Sequence, residues 1–168
     1  CDIYEPVSLI DDQSLQDRFI AMWLAFEERY HNHSGLVFEL LNEVRNIDPE
    51  KWNSLARKTI AAIRQKNPAR KIIIGGINWN SPDSMQHLPD DLDENVIYTW
   101  HVYAPFEFTH QRGVLQAPPL YYNRIMHYPS DIAPYNDFHR FVYNIENHYQ
   151  AYSHMDIEYL RDHVRAAF

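Results

Sequence analysis

The stretch Leu36-Val37-Phe38-Glu39-Leu40-Leu41-Asn42-Glu43 constrains this chain more than any other. It is a short apolar run, opened by Ser34-Gly35 and closed by an amide and a carboxylate. Such a run reads as a strand buried on both faces. Strands of that kind belong to parallel sheets, and in barrels built from them chemistry collects at the C-terminal strand ends. Asn42 and Glu43 stand at that end. A carboxyl at the rim of a dry strand is suited to holding a proton and acting as a general acid. The competing reading is a solvated loop glutamate beside a capping amide.

Two more segments repeat the pattern. Lys71-Ile72-Ile73-Ile74-Gly75-Gly76 reads as a second buried strand and ends at Asn78-Trp79-Asn80. Asn95-Val96-Ile97-Tyr98-Thr99-Trp100 reads as a third and ends at His101-Val102-Tyr103. Between the first two, Asp48 is an N-cap, Pro49 takes the first helical position, and Trp52, Leu55, Ile60 and Ile63 recur at helical spacing up to Asn67-Pro68. An amphipathic helix from Ser14 to Tyr30, with Leu15, Phe19, Met22, Trp23 and Phe26, precedes the first strand. A short loop or helical segment from Pro82 to Asp93 leads to the third. Strand, helix, strand, short helix, strand predicts a parallel sheet with right-handed crossovers. All three strand ends then gather on one rim. Three unrelated loops rarely all end in amide, acid and aromatic groups, which favours a site over a solvated edge.

The remainder is less regular. Residues 1 to 12 read as irregular, and Ala104 to about Phe138 as a long Pro- and Tyr-rich loop region, of the kind that is usually functional. A helix is expected from Phe138 to Tyr152 and a last one from Asp156 through Ile157, Leu160 and Val164. With no repeat and no linker, residues 1–168 read as one segment. The net charge of −8 with no basic run argues against nucleic acid or an anionic membrane surface as partner. No apolar stretch approaches the roughly 20 residues a membrane span needs. The single cysteine, Cys1, permits no internal disulfide. Aromatics reach 14%, with twelve Tyr, and flat rings with polar edges suit a sugar ring. Ten His invite a metal, yet His31-x-His33, His148, His154 and His163 form no zinc-enzyme motif, so neither metal nor cofactor is expected.

On these residues the chain resembles family 5 glycoside hydrolases, the cellulase-like clan of (β/α)8 barrels. Phe38 to Glu43 resembles the strand-4 motif. Trp52 through Pro68 with Ile72-Ile73-Ile74-Gly75-Gly76 and Trp79-Asn80 resembles helix 4 and strand 5. Tyr98 to Tyr103, with Pro105-Phe106-Glu107-Phe108-Thr109-His110-Gln111, resembles strand 6 and its loop. Asp156 to Phe168 resembles the helix leading into strand 7. Val44 departs from the family, which usually has Pro there.

The resemblance implies a retaining hydrolase of β-1,4-linked glucan, with Glu43 as acid/base and Asn42 on the sugar 2-hydroxyl. It places His101 near the acid/base and Tyr103 near the nucleophile, and marks Trp79 and Asn80 as substrate-binding, Trp79 as a stacking platform. Glu39, four residues before Glu43, is a rival acid, though its depth in the strand suits a core carboxylate better. The family's nucleophile is a second Glu at the end of strand 7, beyond this chain, and strands 1 to 3 and 8 are also outside it. A whole barrel needs about 250 residues. The fold expected is therefore a partial TIM barrel, roughly from the end of strand 3 to helix 6, completed by flanking sequence and inactive in isolation. The partner implied is β-glucan or a related polysaccharide, and the location secreted or periplasmic. The alternative is a barrel segment that binds sugar without cleaving it.

Overall fold

The computed structural model describes residues 9–45, 47–113 and 117–165. The irregular reading of residues 1 to 8 lies outside them. The chain divides into two compact units, Cys1–His101 and Val102–Phe168.

Unit 1 begins with α1 (Gln13–Tyr30), whose N-cap Asp12 accepts from the N–H groups of Ser14 and Leu15. This satisfies two of the donors that a helix start leaves open. Helix α2 (Pro49–Lys66) is capped by Asp48, which accepts from Glu50 N–H, and closed by Asn67, whose N–H reaches the Ile63 carbonyl. Glu50 in its first turn and Arg64 and Lys66 in its last complement the helix dipole. Trp52, Leu55, Ala56, Thr59, Ile60 and Ile63 form its buried stripe.

Three strands make a parallel sheet in the order β1 (Val37–Glu39), β2 (Lys71–Gly75), β3 (Val96–Thr99). Phe38 lies opposite Ile72, and Ile72 opposite Val96. Phe38, Leu40, Ile72, Ile74 and Val96 share one core with the α2 stripe and with Phe19 of α1. Each fully buried aliphatic side chain there contributes about 1.5–3 kcal/mol. The second face, expected to be buried as well, is open in this segment: Val37, Glu39 and Ile97 alternate onto it and are exposed. On α1, Met22 and Phe26 are likewise exposed.

A buried ion pair fixes α1 to the entrance of β2. Glu27 and Arg70, both with side chains about 1% exposed, meet at 2.6 Å, and Asn67 donates to the same carboxylate at 2.7 Å. Arg70 also donates to the carbonyls of Tyr30, His33 and Leu36 and lies over the Phe38 ring. Burial raises the Glu27 pKa, but the hydrogen bonds and charge of Arg70, with Asn67, outweigh it and hold the carboxyl below its ordinary value.

Between β2 and β3 lie α3 (Ile77–Asn80), a single distorted turn, and a 3₁₀ segment at Pro82–His87.

Unit 2 is not the loop region expected from Ala104 to Phe138. It contains α4 (Phe106–Thr109), α5 (Ala117–Tyr122), α6 (Ala133–Tyr143) and α7 (Ile157–Val164). An antiparallel pair joins β4 (Ser130–Asp131) to β5 (His154–Met155). The prolines that suggested a loop sit at helix starts: Pro105 caps α4, and Pro118 and Pro134 fall in the first turns of α5 and α6. Helix α6 begins five residues before Phe138 and ends at Tyr143, because Asn144 takes a left-handed C-cap with φ +56°. Helix α7 starts as expected, with Asp156 as N-cap.

The core of unit 2 is Tyr122, Met126, Tyr135, Phe138 and Met155. Beside it Glu107, 2% exposed, accepts from the Tyr149 hydroxyl, which lies 2.9 and 3.1 Å from its two oxygens, and pairs with His139 Nε2. His148 stacks on His139 with ring centroids 3.6 Å apart.

Candidate active site

The C-terminal ends of the unit 1 strands bring together Asn42 and Glu43 after β1, Trp79 and Asn80 after β2, and His101 after β3. The sheet is parallel and in register, so its strand ends fall along one edge. Glu43 takes a left-handed conformation with φ +51°. Its Oε1 lies 2.9 Å from His101 Nδ1, and both side chains are partly open to solvent. The Glu43–His101 contact crosses the whole sheet, since one residue follows β1 and the other β3.

Backbone contacts tie the three ends. Trp79 N–H donates to the Val44 carbonyl at 3.0 Å, and His101 N–H donates to the Asn80 carbonyl at 2.8 Å. Trp79 is 48% exposed, with the Arg45 guanidinium 5.6 Å from its ring centroid. Asn42 is exposed, whereas Asn80 is fully buried. The Asn80 amide fills the space above Gly75, where an added Cβ would come within 2.3 Å of it. That is why the strand ends in glycine. Trp52 of α2 braces the same point by donating its indole N–H to the Gly75 carbonyl at 2.9 Å.

Tyr103 belongs to unit 2, where its carbonyl accepts from the Thr109 hydroxyl at 2.6 Å and its ring meets His110 edge-on at 5.5 Å. Arg45 was not singled out by sequence: it belongs to no apolar period, and only the fold brings it beside Trp79. Among the described residues no three His, Cys, Asp or Glu side chains gather in a way that could hold a metal ion.

With this geometry in view, comparison with known proteins is decisive. A family model described as cellulase (glycosyl hydrolase family 5) matches residues 6–158. The chain belongs to that family. It is 37% identical over 136 residues to endoglucanase C of Acetivibrio thermocellus, covering 80% of this chain and 40% of that protein. It is 38% identical over 122 residues to cellodextrinase A of Ruminococcus flavefaciens, covering 71% of this chain and 36% of that one. Among solved structures, endoglucanase Cel5A from the hyperthermophilic Thermotoga maritima superposes with a TM-score of 0.64 at 31% identity, over 83% of this chain and 47% of the other.

This cellulase-family chain thus spans about 40% of the length of its curated relatives. Its parallel sheet and covering helices are part of a (β/α)8 barrel.

Proposed function

We propose that this chain is a segment of the single catalytic domain of a retaining glycoside hydrolase that cleaves β-1,4-linked glucan, with Glu43 as acid/base. The observation that carries the reading is the 2.9 Å contact between Glu43 and His101 across the strand ends. Support comes from relatives named endoglucanases and from a related Cel5A structure in complex with cellobiose.

Retaining hydrolysis uses two carboxyls roughly 5–5.5 Å apart, one protonating the departing oxygen and one attacking the anomeric carbon. In this reading Glu43 gives its proton to the leaving oxygen and then takes one from the incoming water. His101, hydrogen-bonded to Oε1, holds the carboxyl in orientation through both steps. Asn42, exposed beside it, binds the sugar 2-hydroxyl. Trp79 offers an exposed ring to a pyranose, while the buried Asn80 amide sits over Gly75 at the base of the same turn. Tyr103 serves the attacking carboxylate, which the remainder of the barrel supplies.

The test uses the full-length protein. Glu43→Gln should reduce reducing-sugar release from carboxymethyl cellulose by about 10²–10⁴-fold. Aryl cellobiosides with very good leaving groups should lose far less in the first step, since they need little protonation. Undiminished turnover of the glucan would remove Glu43 from the acid role.

A further inference from the structure

The loop after β2 has an unusual backbone. Asn78, Trp79 and Asn80 have φ of +56°, +58° and +55°, three consecutive non-glycine residues in the left-handed region. L-residues are disfavoured there by contact between Cβ and the following carbonyl. Asn tolerates it best, and a bulky ring such as Trp is rarely found there. Backbone of this kind persists only where the surroundings over-determine it, and it concentrates at functional sites.

The surroundings here are specific. From inside the turn, Trp79 N–H reaches the Val44 carbonyl, one residue past Glu43. From its end, the Asn80 carbonyl receives His101 N–H. Below, the buried Asn80 amide is wedged over Gly75. Resting on the reading of Glu43 as acid/base, we propose that Asn78 and Asn80 are positioning residues whose left-handed turn clamps the Glu43 loop to His101. Through backbone alone the turn holds His101 and Val44, the residue that follows Glu43, on either side of β2. Rerouting residues 78 to 80 through right-handed or extended backbone would swing the Trp79 N–H and the Asn80 carbonyl away. Glu43, itself left-handed at φ +51°, would then lose its register with the imidazole.

Asn78 is the clean lever, because its side chain is exposed and its replacement leaves the core untouched. The series Asn78→Gly, Asn78→Ala and Asn78→Val in the full-length enzyme raises the cost of the left-handed conformation step by step. On carboxymethyl cellulose, kcat should stay near the parent value for Gly, fall for Ala, and fall roughly ten- to hundredfold for Val. KM should rise as well, because Trp79 sits in the same turn, so the clamp is read from the fall in kcat. Dinitrophenyl cellobioside, which needs little acid assistance, should lose much less than the glucan.

Equal losses on both substrates, or a change in KM alone, would overturn the clamp and leave the turn merely structural. An unchanged kcat throughout the series would do the same. The Ala variant carries the test if Val prevents folding. Glu43→Gln separates the two claims. If it leaves glucan turnover intact, the acid/base reading fails; if it abolishes turnover while the Asn78 series is silent, only the clamp fails.

Discussion

Glu27 in unit 1 and Glu107 in unit 2 are both buried acids, but the first meets a guanidinium and the second an imidazole and a phenol. Arg70 remains charged at any working pH and spreads its other N–H groups over three carbonyls, so Glu27 sits in a fully paired charge network. His139 is different. Burial pushes its pKa down, the charge and hydrogen bond of Glu107 pull it partly back, and the net value stays below the ordinary 6.5. Burial and the nearby Glu107 charge also push Tyr149 up, so that it stays a donor. One unit is therefore held by a fixed charge and the other by groups that respond to pH.

The sharpest way to break this comparison is Arg70→Met, which leaves the Glu27 charge buried without its partner. It should cost about 3–5 kcal/mol, read from denaturant unfolding of the full-length protein. Replacing Glu27 by Leu in the same protein should recover much of that loss, as removing both charges from a buried pair usually does. Failure of the double variant to recover would mean that the carbonyl contacts of Arg70 matter more than its charge.

Glu107→Gln should have a smaller effect, about 1–3 kcal/mol, because the amide keeps the shape and can still accept from Tyr149. It also carries a pH signature. A histidine whose folded pKa lies below its unfolded value supports folding fully above about 6.5, and that support declines as pH falls toward the folded value. Without Glu107 the folded value drops further, so acid destabilisation of unit 2 should extend to lower pH. Glu27, also depressed, gives up its support only below the ordinary carboxylate value of 4.5. Hydrogen exchange on the parent protein should thus show unit 2 loosening between pH 6.5 and 4.5 while unit 1 remains protected. Simultaneous loosening of both would break the contrast.

The smallest effect concerns the aromatics. Tyr135 and Tyr122 of unit 2 are core, whereas Trp79 of unit 1 is half open. Trp79→Ala should shift stability by no more than about 0.5 kcal/mol. It should weaken cello-oligosaccharide binding by about 0.5–1.5 kcal/mol in calorimetry. A clearly lowered melting temperature with unchanged affinity would make Trp79 a core residue instead.

The sequence by itself determined the elements whose signals are local. Asp48 and Asp156 open helices as their position before periodic apolar runs required, and Lys71 to Gly75 forms a strand because three consecutive Ile favour one. The parallel order followed from helices placed between strands, and with it the gathering of Asn42, Glu43, Trp79, Asn80 and His101 on one rim. Tertiary structure decided the rest. Nothing in Glu27 or Arg70 marks them as partners 43 residues apart, because a buried ion pair has no period. The prolines of unit 2 were ambiguous between loop and helix start until packing around Tyr135 and Phe138 chose the helix. The left-handed turn at Asn78 to Asn80 was equally hidden. Its conformation is disfavoured locally and is held by the Val44 carbonyl and the His101 N–H, groups that only the folded sheet brings within reach.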